Sequence, residues 1–147
     1  MTESLDPEEQ RLWHAWKAAT DRVRQRVGDE IKAGTGLSDP DFGILTRLVE
    51  LGDGALRQND LAASMGWHRS RLSHQLTRME ERGLLRRSSV DGGVLVQVSD
   101  DGAELVNTAR PIHAAAVRRH LVQGVDRENA SFVDLLEQLA RDGAPRR

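Results

Sequence analysis

The sequence predicts a mainly α fold with one small β-hairpin, and three observations carry that prediction. Helix-capping signals recur along the chain, at Asp6-Pro7-Glu8-Glu9, Ser38-Asp39-Pro40-Asp41, Ser99-Asp100-Asp101 and Asp126. Behind them, apolar residues fall at helical spacing. Leu84-Leu85-Arg86-Arg87-Ser88 and Val94-Leu95-Val96-Gln97-Val98 instead read as paired strands, joined by Asp91-Gly92-Gly93, which supplies the left-handed backbone of a tight hairpin.

Each element follows in order. In the first helix Asp6 caps, Pro7 takes the first turn, and Glu9 reaches back to the cap. It is expected to run to about Ala33, with Gly34-Thr35-Gly36 as its stop. Its stripe is Leu12, Trp13, Trp16, Ala19, Val23, Val27 and Ile31, more apolar face than a small domain covers alone. That excess points to a dimerisation helix. The second helix runs to about Leu51 with Phe42, Leu45, Leu48 and Val49 inward, and a loop follows at Gly52-Asp53-Gly54. Ala55-Leu56-Arg57 reads as a short strand edging the hairpin, and a third helix starts at Gln58 or Asn59 and holds Leu61, Ala62 and Met65. Gly66 turns the chain into a fourth helix, from about His68 to Glu81 or Arg82, which Gly83 ends. After the hairpin, Ser99-Asp100-Asp101 opens a long helix to about Val122, with acids in its first turn as the helix dipole prefers and Pro111 as an expected kink. Asp126 caps a last helix with Phe132, Leu135, Leu136 and Leu139 on its buried side and Gly143 beyond, and the tail Ala144-Pro145-Arg146-Arg147 is expected to be disordered.

The fourth helix carries the chemistry. Leu72, Leu76 and Met79 share one face, and Ser70, His74 and Thr77 point the opposite way. Arg71 and Arg78 flank that polar face on one side and Ser73 on the other. A helix held by one face and offering hydroxyls, imidazole and guanidinium on the other suits the DNA major groove, where Arg favours the two acceptors of guanine. From Trp67 to Arg87 six arginines stand against Glu80 and Glu81, a local balance of +4 in a chain of −2. Positive charge is gathered in one place, as phosphate binding requires. A solvated, Arg-rich amphipathic helix would show the same charge pattern, so the helix–Gly–helix before it and the hairpin after it decide for DNA.

Composition narrows the classes. The chain has 147 residues, 38% of them hydrophobic and 3% aromatic, which is one lean domain by length and suits an elongated helical protein that completes its core by dimerising. It contains no cysteine, which excludes disulfides, thiolate metal sites and thiol redox sensing. No apolar run approaches the ~18 residues of a membrane span, and the acidic start MTESLDPEEQ is unlike a signal peptide, so a cytoplasmic protein is expected. The basic residues are 19 Arg with only Lys17 and Lys32, a bias that suits forked contacts to phosphate but equally reflects a GC-rich genome. No glycine-rich phosphate loop, nucleophile elbow or clustered carboxylate pair is present, and no acid in its run is placed to orient His74 beside Ser70 and Ser73, so no enzyme and no cofactor is expected.

The run GWHRSRLSHQLTRMEERGLLRR resembles the recognition helix and exit of the MarR (multiple-antibiotic-resistance regulator) family almost position by position, and a weaker likeness extends from about Trp13 to Leu139. The resemblance implies a winged helix-turn-helix, with residues 1–147 as one domain, 38–98 as the DNA-binding lobe, and 6–33 and 99–142 as dimerisation helices. It implies a homodimeric, sequence-specific transcriptional regulator, most often a repressor responsive to a small-molecule effector, on a pseudo-palindromic duplex site. Base-reading residues would be Ser70, Arg71, Ser73 and His74, and phosphate contacts Arg57, His68, Arg69, Arg78, Arg86 and Arg87. One departure stands out. Wings of this family usually carry an Asp followed closely by an Arg that enters the minor groove, whereas this chain has Asp91-Gly92-Gly93-Val94. The residue that enters the minor groove in the family therefore has no counterpart in this hairpin turn, which leaves open whether this wing reads that groove, and Arg86 and Arg87 at its base are expected on phosphate. The missing wing Arg and the net acidic charge support an alternative of another class, a winged-helix protein-interaction module without specific DNA binding.

Two further readings concern the helices outside the lobe. Trp13 and Trp16 are read first as dimer-core residues at helical spacing. By analogy with the family they are alternatively walls of a pocket for a small aromatic or anionic effector, with His113 or Arg118 as its polar handle. His113 and His120 lie two helical turns apart, about 10.5 Å of rise, too far to bind one ion within a chain. With His14 they are read as packed or solvated, and no metal is expected.

Overall fold

The computed structural model describes residues 4–125 and 130–141. Helix α1 (Pro7–Thr35) opens on the capping box of Asp6 with Glu9 and closes on Gly36 in the left-handed conformation at φ 75°. It runs through Gly34 rather than stopping there, because that glycine serves a close approach: a Cβ at residue 34 would meet Ile112 Cδ1 at 2.4 Å. Helix α2 (Asp39–Glu50) starts on the capping box of Ser38 with Asp41. Strand β1 (Ala55–Arg57) leads straight into α3 (Gln58–Met65), whose cap is Gly66 at φ 65°. Helix α4 (Arg69–Glu81) follows, with His68 as an N-cap whose side chain makes no cap bond.

Strands β2 (Leu85–Val90) and β3 (Gly93–Val98) form the hairpin, and β1 pairs antiparallel with the free edge of β3 to give the order β1-β3-β2. Helix α5 (Asp100–His120) is capped by the Ser99 hydroxyl and continues through Pro111 as one element, followed by a single 3-10 turn at Val122–Gly124. Helix α6 (Ala130–Ala140) ends the described chain. The expected cap Asp126, the stop Gly143 and the tail 144–147 lie outside the described residues.

One core holds the lobe together. Ile44, Leu45 and Leu48 of α2, Leu61 of α3, Leu72, Leu76 and Met79 of α4, and Val96 of β3 meet Ile31 of α1 and Val106 and Ala109 of α5. The inward face of α4 is thus the face the periodicity marks.

Only the C-terminal half of the α1 stripe joins this core, through Val27 and Ile31. Leu12, Trp13 and Trp16 are 72%, 50% and 42% exposed in the single chain. Helix α6 differs from expectation in the same way. Leu135 and Leu139 are exposed, Phe132 and Leu136 only half-buried, and no residue of α6 is fully buried. A helix with that much apolar surface and nothing among the described residues to cover it lacks its packing partner. Among the described residues no helix is long and apolar enough to cross a membrane.

Candidate nucleic-acid interface

The apolar contacts of Leu72, Leu76 and Met79 fix the rotation of α4 about its axis. Ser70, Arg71, His74, Thr77 and Arg78 are left exposed, and Ser73 half-buried at the margin. Arg71 is held: its guanidinium lies 3.8 Å from the centroid of the Trp67 ring, a cation–π contact that keeps the long side chain at the start of the helix. His68, Arg69 and Ser70 are exposed around the same N-terminus, where backbone N–H groups without partners and the helix dipole favour a negative ligand.

Besides Arg71 on Trp67, the other five arginines of this region divide into two sets. Arg69 and Arg86 are exposed and make no hydrogen bond or ion pair among the described residues. Arg78, Arg82 and Arg87 have partners within the chain. Arg87 donates from Nη2 to Thr77 Oγ1 (2.8 Å) and to Glu80 Oε1 (3.3 Å), and its backbone N–H donates to Glu80 Oε2 (2.8 Å). Thus β2 is tied to the last turns of α4. Arg78 donates from Nη2 to Gln75 Oε1 at 2.5 Å. Arg57, at the end of β1, reaches the hairpin turn and donates from Nη1 to the Asp91 carbonyl at 2.7 Å.

Beneath α4 lies a polar cluster that the spacing of Leu72, Leu76 and Met79 did not disclose. Gln75 and Asp41 are 8% and 2% exposed, and Gln75 Nε2 donates to Asp41 Oδ1 at 2.7 Å. The second carboxylate oxygen accepts the Ser38 N–H at 2.9 Å and Arg82 Nη1 at 2.7 Å. Burial alone would raise the carboxyl pKa, but the Arg82 guanidinium and the Ser38 bonds outweigh it and hold Asp41 below the usual Asp range. The same acid therefore closes the capping box of α2 and holds α4 at its middle, through Gln75, and at its C-cap, through Arg82. A signal was available, since Gln75 stands at Leu72+3 on the inward face, where a polar side chain needs a partner. At the start of α3, Gln58 Oε1 is buried with no partner among the described residues.

Away from α4, a cavity of about 220 Å³ lies between α1, α2 and α5. Val23, Val27, Ile31, Phe42, His113 and Val117 line it, with Arg24 and Asp39 as its charged residues. His113 is the one candidate effector residue found there, its ring 5.3 Å from that of Phe42. Trp13 and Trp16 are not in its wall, because they precede Val23 by two or more turns of α1, and Arg118 follows Val117 onto the exposed side of α5. Arg24, rather than Arg118, is the cation at this cavity.

His120 does not face His113. Its Nε2 lies 2.5 Å from Glu30 Oε2, and Arg119 pairs with the other oxygen of Glu30, so the cluster joins α1 to α5. Partial desolvation raises the Glu30 pKa, but the bonds from His120 and Arg119 prevail and lower it overall. Among the described residues no three acidic or imidazole groups are placed to hold a metal ion.

Comparison with known proteins places this geometry. The sequence profile of the MarR family matches residues 35–93, from the end of α1 to the wing turn. AbsC, a MarR family transcriptional regulator from Streptomyces coelicolor, is 30% identical, with 94% of this chain and 98% of that one aligned at a TM-score of 0.83. A second Streptomyces coelicolor regulator of the family, solved in complex with DNA, is 24% identical over 99% of this chain and 97% of its own, at a TM-score of 0.84. CouR from Rhodococcus jostii RHA1, bound to p-coumaroyl-CoA, is 23% identical over 92% of this chain and 95% of its own, at a TM-score of 0.72. The last two likenesses are of fold. The search of curated proteins gave no match. On the AbsC likeness and the profile match, spanning the helices, the wing and the recognition helix, the chain belongs to the MarR family of transcriptional regulators.

Proposed function

We propose that the protein is a homodimeric repressor that reads a pseudo-palindromic DNA site and is released from it by a small-molecule effector. The observation that carries the DNA reading is the α4 surface. One face is locked into the core by Leu72, Leu76 and Met79, and the other presents Ser70, Arg71 and His74 to solvent beside the unpaired Arg69. Ser70, Arg71, Ser73 and His74 read base edges in the major groove. His68 and Arg69 at the helix start and Arg86 at the wing base contact phosphate. Arg78 and Arg87 join them only by loosening their bonds to Gln75 and Glu80. Thus the phosphate grip centres on the start of α4.

The dimer rests on the uncovered apolar faces of α1 and α6, which bring Leu12, Trp13, Trp16, Leu135 and Leu139 to the surface at both ends of the chain. Two-fold symmetry then sets two recognition helices one or two turns of duplex apart. Residues 6–33 and 99–142 form the dimerisation part and 38–98 the DNA-binding lobe. The effector enters the α1–α2–α5 cavity, where apolar walls with Arg24 and His113 suit a small aromatic or anionic molecule. CouR, which shares the fold, is bound to p-coumaroyl-CoA. Release follows if that molecule binds better to a spacing of the two helices that does not fit the site.

His74→Ala tests the base-reading assignment. Affinity for the specific site is expected to fall by about 1–3 kcal/mol while affinity for random duplex stays nearly unchanged. Equal losses on both duplexes would remove His74 from the base readers.

A further inference from the structure

Arg57 occupies an unusual place. It is the N-cap of α3, a position that favours Ser, Thr, Asp or Asn because their short side chains bond the first free N–H groups of the helix. Here the cap makes no side-chain bond. The guanidinium instead extends along the edge of the sheet to the hairpin turn, where Nη1 donates to the Asp91 carbonyl at 2.7 Å. A helix cap has been given up and a cation has been delivered to the wing tip.

The tip needs one. From Ser88 to Val98 the sole charged side chain is Asp91, which repels phosphate. The turn is also slender. Gly92 and Gly93 hold φ of 81° and 155° and carry no side chain, and a Cβ at residue 92 would stand 3.4 Å from Arg57 Nη1. With one N–H on the carbonyl, the remaining donors of an exposed guanidinium are left for a ligand. A slim hairpin end bearing a fixed, planar cation matches a narrow, A·T-rich minor groove, whose negative potential attracts Arg and whose floor offers acceptors only.

We infer that Arg57, supplied from the cap of α3 and seated on the Asp91 carbonyl, is the residue by which the wing enters the minor groove flanking the half-site and selects A·T pairs there. The inference rests on the DNA-binding reading proposed above. It assigns a sequence preference to a wing tip whose own side chains, from Ser88 to Val98, include no cation.

The test uses the full chain and a library of random-sequence duplexes, selected in parallel with wild-type protein and Arg57→Thr. Threonine restores a preferred cap, so the variant is expected to unfold at the same temperature as wild type or higher, which separates this test from a folding failure. Wild type is expected to enrich a core motif flanked at fixed spacing by A·T pairs, preferred roughly fivefold or more over G·C. Arg57→Thr should bind more weakly and keep the core while losing the flanking preference. Flanks that persist in Arg57→Thr, or are absent from both proteins, overturn the assignment. So does a variant whose salt dependence flattens with the flanks intact, since that makes Arg57 a phosphate contact alone. A wild type that enriches no motif would also sink it, by a failure of DNA reading visible before any variant is compared.

Discussion

Asp41 carries two duties with one carboxylate. Locally it closes the capping box of α2, and 34 residues on it accepts a bond from Gln75 on the inward side of α4, while Arg82 pairs with its second oxygen. Removing its charge leaves Arg82 unpaired and Gln75 facing a weaker acceptor. Asp41→Asn is therefore expected to destabilise the protein by about 1–3 kcal/mol at neutral pH, as measured by urea unfolding. The pH dependence has a definite sign. The folded carboxyl titrates below its unfolded value of about 3.9, so its contribution is complete above that pH and disappears as pH falls through the folded value. The gap between wild type and variant should stay constant from neutrality to about pH 5 and close under more acid conditions. A gap that grew as the pH fell would contradict this account of Asp41. At this scale the sequence was half legible. The cap of Asp41 could be read from four consecutive residues, whereas its partners Gln75 and Arg82 become neighbours only after α2 and α4 have packed.

At the scale of elements, the recognition helix and wing are positioned by close backbone approaches. Ser99 donates its hydroxyl to the Gly83 carbonyl at 2.6 Å and its N–H to the Leu84 carbonyl at 3.1 Å, so the start of α5 is fastened to the exit of α4. Gly102 sits in the first turn of α5 against the same strand entry, and a Cβ there would fall 2.2 Å from the Leu84 carbonyl oxygen. That neighbour is backbone and cannot swing aside. Gly102→Ala should cost about 1–3 kcal/mol in unfolding free energy by forcing α5 away from Leu84. A loss within the scatter of neutral surface changes would show that this contact does not position α5. The caps and the turns at Gly36, Gly66 and Gly83 were readable in the sequence because each is a local event, confirmed by positive φ at all three glycines. The stop read at Gly34-Thr35-Gly36 falls on Gly36, while Gly34 stays helical and leaves room for Ile112 from a helix far along the chain, a neighbour that no local reading could supply.

Across the whole molecule, charge and apolar surface are sorted into separate regions. The chain is −2 overall, yet the stretch from Trp67 to Arg87 is +4, with the cations that lack internal partners lying at the start of α4 and the base of the wing. The apolar excess lies elsewhere, on the first half of α1 and on α6, where a second copy of the chain would cover it. The stripe of Trp13 and Trp16 was legible as a surface one chain cannot bury. The cavity between α1, α2 and α5 was not, because its wall combines residues of three helices that meet only in the folded lobe, and His113 alone of the expected pocket residues reaches it. The most direct test of the DNA reading is fluorescence anisotropy of the full-length protein with the duplex flanking its own gene, beside a shuffled duplex, across a salt series. The account predicts affinity that falls steeply with salt on both duplexes and a preference for the native flank of about a thousandfold or more. A folded dimer that binds neither duplex would contradict it and make this winged helix a surface for another protein.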